Sequence, residues 1–262
     1  MSFTAKDVMA LREKTGLGMM DCKKALTETD GDTTAAEEWL RAKRKGKMEM
    51  RTERATGEGR IGITIEGPAA AIVEVRTETD FTARNERFLA MVDHVAAEAL
   101  KQPAGDVSLT EEMTRQIDEL RITTGENVNF SRGTKLEGGA FGHYIHHDGK
   151  RAVLLQIEGV ADGDLLKGLC QHIVFHDPLG ISADDVPAEQ IRKIEAEAIA
   201  EAKESGKPEE IAEKIAQGKV RKYLEEKTLL NQKYVLDESI TVQKVLPAGV
   251  TIRTFVRYTL GA

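Results

Sequence analysis

The sequence has 262 residues, of which 40% are hydrophobic and 31% are charged, and its formal net charge is −7. A chain of this length and composition can bury a core in one large domain or in two to three small ones, which excludes a disordered protein. The mildly acidic balance argues against a polyanionic partner such as RNA, and we expect no direct nucleic-acid binding.

The sequence carries no signal for secretion or for a membrane partner. Its first residues contain no apolar signal core, and no run approaches the ~18 apolar residues that a membrane span requires. Cys22 and Cys170 stand far apart, in neither a metal-ligand spacing nor a redox pair. These features predict a cytoplasmic protein without structural disulfides.

Residues 1–46 have apolar positions at helical spacing, interrupted by breaks at 15–18 and 30–32. This pattern predicts three short helices that pack as a small amino-terminal domain. Thr4 and Asp7 have the spacing of a capping box for the first helix, and Gly16 is suited to end that helix.

Charged residues dominate the segment that comes after the predicted helices. We predict a solvated linker over residues 47–58 because this stretch shows no apolar period. The basic run at 41–47 could touch phosphates, but no aromatic residue is interleaved with it. We therefore interpret the run as a solvated helix end.

Two segments of the sequence share the order strand, strand, amphipathic helix. Isoleucines alternate over 61–65 and an apolar run comes next over 71–75, and the same pair of patterns recurs over 140–146 and 152–157. Each pair is followed by a helical pattern and a Pro-x-Gly exit. The repetition predicts an α+β fold with a core of two related β-β-α subdomains.

We assign the first subdomain to residues 59–135 and the second to residues 136–187 and 228–262. Between the two parts of the second subdomain, residues 188–227 are helical and highly charged, with a break at 206–208. Their narrow apolar stripe predicts an inserted antiparallel two-helix arm of the coiled-coil type, which could pair two copies of the chain. The predicted stripe consists of Ile191, Ile194, Ala198, Ala202, Ile211, Ile215 and Tyr223.

The sequence shows no recognisable site for chemistry. Residues 57–62 match G-x-G-x-x-G, but a charged segment precedes them and a strand comes after, so no helix start faces a pyrophosphate. His172 and His176 stand four apart, near further histidines at 143–147, without a third ligand at a recognised spacing. We interpret them as partly exposed helical histidines and expect no enzyme activity, no cofactor and no metal.

Two longer segments resemble the signatures of the elongation factor Ts family. Residues 11–26, LREKTGLGMMDCKKAL, are similar to L-R-x-x-T-G-x-G-x-M-D-C-K-x-A-L. Residues 78–85, ETDFTARN, are similar to a second signature around T-D-F-V-A-[RK]-[ND], with Thr82 in place of the commoner Val. Supporting matches at 125–127 (GEN) and 144–146 (YIH) extend the resemblance over nearly the whole chain.

The resemblance implies a guanine-nucleotide exchange factor for the GTPase elongation factor Tu, acting in translation elongation, with a UBA-like amino-terminal domain. It implies that a loop disturbs the magnesium site of the partner, and this loop consists of Thr79, Asp80, Phe81 and Thr82. It also implies a grip of the amino-terminal domain on the nucleotide-binding domain of the partner, through Leu11, Met19, Met20 and Lys23. Two further partner-binding candidates are Gly125 and His146.

The residues themselves make a protruding Phe81 reasonable. Phe81 comes after a strand and precedes a helix that Thr82 could cap. A hydrophobic staple would then need an apolar fourth helical residue, where Glu86 stands instead. Burial of Phe81 in the protein's own core stays open as an alternative, as does a turn or cap role for Asp80.

The amino-terminal candidates also have structural alternatives. Met19 and Met20 are expected in a Gly-containing turn, where flexible thioethers make an adaptable contact surface, but one of them could pack in the core. Lys23 could pair with acidic groups of the partner or stay solvated. The alternative function is an adaptor or chaperone-like binding module that uses the amino-terminal helices and has no exchange activity.

Overall fold

The computed structural model describes residues 3–49 and 53–262, without the side chains of residues 44, 45 and 47–49. The chain forms two compact units. Unit 1 consists of Met1–Glu137, His147–Lys150 and Tyr258–Ala262, and unit 2 consists of Gly138–His146 and Arg151–Arg257. An amino-terminal helical segment precedes β-β-α elements, so the predicted α+β class is confirmed.

Unit 1 begins with three helices, α1 (Ala5–Thr15), α2 (Met19–Glu28) and α3 (Thr33–Glu49). The predicted capping box is confirmed, because Thr4 Oγ1 accepts from the Asp7 amide at 3.4 Å and the Asp7 carboxylate accepts from the Thr4 amide at 2.7 Å. Gly16 ends α1 in the left-handed conformation with φ 69°, and its amide donates to the Arg12 carbonyl. The small core between the helices consists of Val8, Leu11, Leu17, Cys22, Ala25, Leu26, Ala36 and Leu40.

The predicted linker at 47–58 includes residues 50–52, which lie outside the described residues. Helix α3 extends through Glu49, and the first strand begins at Glu58. The basic run at 41–47 therefore lies within the carboxy-terminal part of α3.

A four-stranded sheet with helices on it forms the rest of unit 1. Its elements in chain order are β1 (Glu58–Glu66), β2 (Ala69–Thr77), α4 (Asp80–Ala83), α5 (Glu86–Ala99), β3 (Gly105–Asp106), α6 (Glu111–Thr124) and β4 (Val128–Glu137). The strand order is β1-β2-β4-β3, and β1, β2 and β4 pair antiparallel with Ile63 opposite Ile72 and Ile72 opposite Thr134. Strand β2 is central and therefore almost continuously apolar.

Helix α5 packs closely on this sheet through an apolar stripe. Phe88, Val92 and Val95 are buried, and a Cβ atom added at Gly62 would lie 2.7 Å from the Val92 side chain. Gly62 thus permits the close approach of helix and strand. Helix α6 contributes Met113, Ile117 and Leu120 to the same core.

Unit 2 repeats the strand, strand, helix order. Its elements are β5 (Ala140–Ile145), β6 (Arg151–Glu158), α7 (Gly163–His176), α8 (Ala188–Glu204), α9 (Glu209–Lys227), β7 (Lys233–Tyr234), β8 (Asp237–Thr241), α10 (Val242–Val245) and β9 (Thr251–Thr259), whose last residues belong to unit 1. The main sheet has the order β5-β6-β9, and β7 and β8 pair separately. Leu155, Leu169 and Ile173 are buried between β6 and α7.

Helices α8 and α9 pack against each other through alanines. Ala198 and Ala202 of α8 and Ala212 and Ala216 of α9 are buried. Ile211 and Ile215, predicted to share this contact, are 45% and 36% exposed, so that part of the predicted stripe is wrong. Small side chains at an i, i+4 spacing let two backbones approach closely, which turns the neighbouring isoleucines outward.

No helix within the described part of the chain combines the length and the apolar composition that a bilayer crossing requires.

Candidate functional site

Phe81 lies on the one-turn helix α4, directly after strand β2. The Phe81 side chain is 84% exposed, whereas Thr82 and Ala83 are 8% and 3% exposed. The helix thus packs one side against the unit and turns the ring of Phe81 to solvent. Burial of this ring in the protein's own core is excluded. An exposed Phe is a large apolar surface without an internal partner.

The cap of this region differs from the sequence prediction. Thr79, with extended φ −123° and ψ 155°, is the N-cap of α4, and its hydroxyl accepts from the Thr82 amide at 3.3 Å. Asn85 is the N-cap of α5, and its side-chain oxygen accepts from the Arg87 amide at 2.9 Å. The prediction that Thr82 caps the helix is wrong because α4 forms an extra turn with a cap of its own.

Asp80 lies in the first turn of α4 and stays at the surface. Its carboxylate pairs with Arg84 at 3.2 Å, and the two side chains are 43% and 72% exposed. An exposed pair of this kind contributes roughly 0.2–1 kcal/mol at most, so it is easily exchanged for a contact with another molecule. Its place near the amino-terminal end of α4 also suits a negative charge.

The loop before α4 rests on Glu126, which lies just after α6. One carboxylate oxygen of Glu126 accepts from the Thr77 hydroxyl at 2.9 Å and from the Thr79 amide at 3.1 Å. The other accepts from the Thr79 hydroxyl at 2.6 Å. Sequence reasoning identified Glu126 only as part of a matching tripeptide, because its partners lie 47 and 49 residues away.

The protonation state of Glu126 is set by this environment. Partial burial alone would raise the pKa of the Glu126 carboxyl, but hydrogen bonds from Thr79, Thr82 and Thr77 together outweigh burial and hold this pKa below its ordinary value. The group is therefore an ionised carboxylate at neutral pH, which only accepts hydrogen bonds.

Gly125, a further partner-binding candidate, precedes Glu126 and ends α6. It adopts φ 76°, and its amide donates to the Arg121 carbonyl at 2.8 Å. A residue without a side chain is favoured in this left-handed conformation. Gly125 therefore contributes the turn that brings Glu126 to the loop.

The amino-terminal candidates occupy two different environments. Met19 and Met20 are 48% and 74% exposed, and Lys23 is exposed one turn further along α2. The two methionines form the first turn of α2 and do not lie in the preceding turn as predicted, because Gly18 is already the N-cap. Leu11 is 2% exposed in the three-helix core, so its assignment as a partner contact is corrected to a packing residue.

His146 lies at the end of β5 in unit 2 and is partly buried. Its Nδ1 atom is 3.1 Å from the Tyr144 hydroxyl, and its ring meets the ring of Phe175 edge to face at 5.9 Å. Phe175 is 58% exposed and Ile145 is 36% exposed. The surface around His146 is thus partly apolar.

His172 is fully buried, and the prediction that it is partly exposed is wrong; His176 is exposed as predicted. His172 Nδ1 accepts from the Val235 amide at 3.1 Å, so Nε2 carries the proton and donates to the Gln232 side-chain oxygen at 2.9 Å. The pKa of His172 is lowered to about 4, mainly by burial and in smaller part by the charge of the stacked His176, although the hydrogen bond to Gln232 acts in the opposite direction. The neutral His172 ring therefore has a structural role, because it links α7 to the residues on either side of β7.

The described residues also contain no group of three or more His, Cys, Asp or Glu side chains that could hold a metal ion. The glycine-rich match at 57–62 runs into strand β1, which leads directly to β2. A dinucleotide site needs a helix start at this point, and the fold offers none there.

Comparison with known proteins covers the whole chain. The family model described as elongation factor TS matches residues 78–262, and the model described as elongation factor Ts, mitochondrial, N-terminal matches residues 1–47. Elongation factor Ts of Bartonella bacilliformis is 38% identical over 287 residues, covering 100% of this chain and 94% of that protein. Elongation factor Ts of Alkalilimnicola ehrlichii is 38% identical over 274 residues, covering 100% of this chain and 93% of that protein.

Proposed function

The chain belongs to the elongation factor Ts family, a family of nucleotide-exchange factors in translation elongation, and we propose from this premise that it releases GDP from elongation factor Tu by inserting Phe81. In this mechanism the ring enters the partner next to its magnesium site and displaces the ion. The observation that carries the proposal is the 84% exposed Phe81 on a helix whose next two residues are buried.

The four loop residues then have different tasks. Phe81 and Asp80 face solvent and reach the partner, whereas Thr79 caps α4 and Thr82 packs it against the unit. Transfer of the exposed Phe81 ring into an apolar pocket contributes on the order of 1.5–3 kcal/mol. If this pocket is open only in the nucleotide-free partner, the contact favours that state and GDP leaves.

The amino-terminal domain supplies a second contact in this proposal. Met19, Met20 and Lys23 lie on the exposed side of α2, with Leu11 holding the helices together from inside. Methionine side chains adapt to a partner surface at little cost, and Lys23 can pair with an acidic group there. His146 and the neighbouring Phe175 form a third candidate contact on unit 2.

The exchange reaction requires no covalent chemistry, so we propose that the chain is not an enzyme. By thermodynamic linkage, a factor that weakens GDP binding is itself weakened equally by bound GDP, and fresh nucleotide displaces the factor again. We propose the cytoplasm as the place of action. We also propose that the arm formed by α8 and α9 pairs two copies of the chain, with the exposed Ile211 and Ile215 as candidate contacts.

Stopped-flow release of a fluorescent GDP analogue from elongation factor Tu tests the Phe81 mechanism. We expect Phe81→Ala to reduce the stimulated release rate by about tenfold or more, because about 1.4 kcal/mol corresponds to a factor of ten. Leu109→Ala, which also truncates an exposed apolar side chain of unit 1, is the matched control and should keep the wild-type rate. A wild-type rate for Phe81→Ala would refute the mechanism.

A further inference from the structure

We propose that Glu126 is a positioning residue, which orders the cap of α4 and thereby fixes the direction in which Phe81 protrudes. This inference rests on the proposed function of Phe81. The geometry places three hydrogen bonds of one carboxylate on the two threonines that precede α4, and two of these bonds go to Thr79 itself.

The hydrogen bonds of Thr79 explain how Glu126 acts at a distance. The Thr79 hydroxyl has one hydrogen, and it donates this hydrogen to Glu126 at 2.6 Å. A lone pair of the same oxygen then accepts from the Thr82 amide at 3.3 Å. Glu126 thus selects the rotation of the hydroxyl that caps α4.

Further hydrogen bonds join the segment at residues 78–79 to the segment at residues 126–127. Glu78, next to Thr79, accepts from the Asn127 amide at 2.7 Å and from the Arg54 guanidinium at 3.2 Å. The Asn127 side chain donates to the Arg54 carbonyl at 2.9 Å. Consecutive residues of the two segments therefore bind each other reciprocally, which leaves the start of α4 little freedom to rotate.

A one-turn helix needs such support because it cannot hold its own direction. Helix α4 has four residues, and isolated turns are unfavourable since nucleation costs more than one hydrogen bond returns. The cap at Thr79 and the buried side chains of Thr82 and Ala83 decide where the helix lies. Phe81 therefore protrudes in a single direction only while the Thr79 cap and the packing of Thr82 and Ala83 are intact.

The first test replaces the carboxylate by an amide. In Glu126→Gln, one of the two acceptor oxygens becomes an NH2 donor that faces the Thr79 amide or hydroxyl. We expect the maximal GDP release rate at saturating factor to fall about five- to twentyfold, with a half-saturating concentration within about twofold of wild type. Glu66→Gln, an exposed carboxylate at the other end of β1, is the control for the charge change and should behave as wild type.

A double variant separates positioning from a general structural role. If Glu126 acts through Phe81, Glu126→Gln has no further effect on release when Phe81→Ala is already present. The same fold reduction in both backgrounds would overturn the proposal. An unchanged release rate in Glu126→Gln would overturn it too, provided that Phe81→Ala alone lowers the rate.

Variants of Thr79 provide an independent route should Glu126→Gln fail to fold. Thr79→Ser keeps the hydroxyl that both donates and accepts, and it should release GDP faster than Thr79→Val. Thr79→Val removes the hydroxyl and should reproduce the loss expected for Glu126→Gln. Equal rates for Thr79→Ser and Thr79→Val would contradict the hydroxyl's role.

Amide hydrogen exchange in the free protein distinguishes failure of this inference from failure of the proposed function. We expect Glu126→Gln to speed exchange at the Thr82 and Ala83 amides about tenfold, with the Leu89 amide of α5 unchanged. If Phe81→Ala releases GDP normally while these amides exchange faster, the insertion mechanism is wrong and the positioning of α4 stands. If the amides exchange as in wild type, the positioning by Glu126 is wrong.

Discussion

The two β-β-α halves of the molecule differ in the connection between their second strand and their main helix. In unit 1, residues 78–85 separate β2 from α5 and contain the extra turn α4 with the exposed Phe81. In unit 2, residues 159–162 separate β6 from α7, and Val160, which is 90% exposed, lies there in an irregular connection. Both main helices nevertheless begin at an Asx N-cap.

In both halves the repeated strands and helix fix where the connection lies, whereas the residues within the connection decide its structure. In unit 1 these residues form the extra turn α4, and in unit 2 they are irregular. The carboxylate of Glu126 orders the longer connection in unit 1 through Thr77 and Thr79. Loops carried by a rigid frame are common places for function, because they vary without disturbing the core. Helix α4 is such an insertion, with its own cap.

The largest expected effect concerns the frame itself. Phe88 of α5 and Leu169 of α7 are fully buried in the cores of the two halves. We expect Phe88→Ala to lower the free energy of unfolding by about 3–5 kcal/mol and Leu169→Ala by about 2–5 kcal/mol, measured by urea denaturation, since each leaves a cavity. Leu89→Ala, a partly exposed neighbour on α5, should cost much less. A loss under about 1 kcal/mol at Phe88 or Leu169 would show that this side chain does not hold the core of its half together.

The next effect distinguishes the two halves by their response to acid. The pKa of His172 in unit 2 is lowered from 6.5 to about 4, mainly by burial, so the unfolded chain binds more protons than the folded chain between these values. The free energy of unfolding should therefore fall as the pH drops from about 6.5 to about 4, by as much as about 3 kcal/mol. Glu126 in unit 1, whose folded pKa is below its ordinary value, contributes stability that is lost only at lower pH.

Denaturation at pH 7 and pH 5 measures this difference. The variant His172→Gln removes the titrating group and should show a smaller loss of stability between the two pH values. His176→Gln, on the same helix, should reduce the pH dependence only in part, because the charge of His176 is a smaller cause of the lowered pKa of His172 than burial. An unchanged pH dependence in His172→Gln would assign the acid sensitivity to another group.

The smallest effect concerns the two helix caps. Asn85 accepts from the Arg87 amide at 2.9 Å and Asp162 accepts from the Leu165 amide at 2.8 Å. We expect Asn85→Ala and Asp162→Ala each to cost about 1 kcal/mol of unfolding free energy, and Asn85→Asp and Asp162→Asn to cost little. Thermal melting measures these differences. A neutral Asn85→Ala would indicate that α4, and not Asn85, holds the start of α5.

Local features of the fold could be predicted because their partners are close in sequence. The Thr4 and Asp7 capping box spans three residues, and Gly16 closes the same helix. The alternating strands and the amphipathic helix α5 are predicted by periodicity alone. Family membership was likewise predicted from two continuous segments, and the comparisons confirm it.

Predictions from the sequence were wrong where burial or a partner distant in sequence determines the environment of a side chain. Leu11 belongs to the matching segment, yet its side chain fills the core. His172 has the spacing of a surface pair, yet Gln232 and Val235 enclose it from 60 and 63 residues away. On α9, Ala212 and Ala216 are buried in the helix contact and Ile211 and Ile215 are exposed, because a close approach of two helices favours the smaller side chain.

The amino-acid sequence by itself determined the α+β class, the repeated strand and helix order, the first cap and the family, since each depends on periodicity or on neighbouring residues. Only the tertiary structure decided that Thr79 caps a separate turn, that Phe81 faces solvent, and that Glu126 supports the loop. The hydrogen bonds of Glu126 join residues 47 and 49 positions apart. The pairing of β2 with β4, in which Thr77 lies opposite Val128, brings these residues together, and no local pattern encodes which carboxylate meets which hydroxyl.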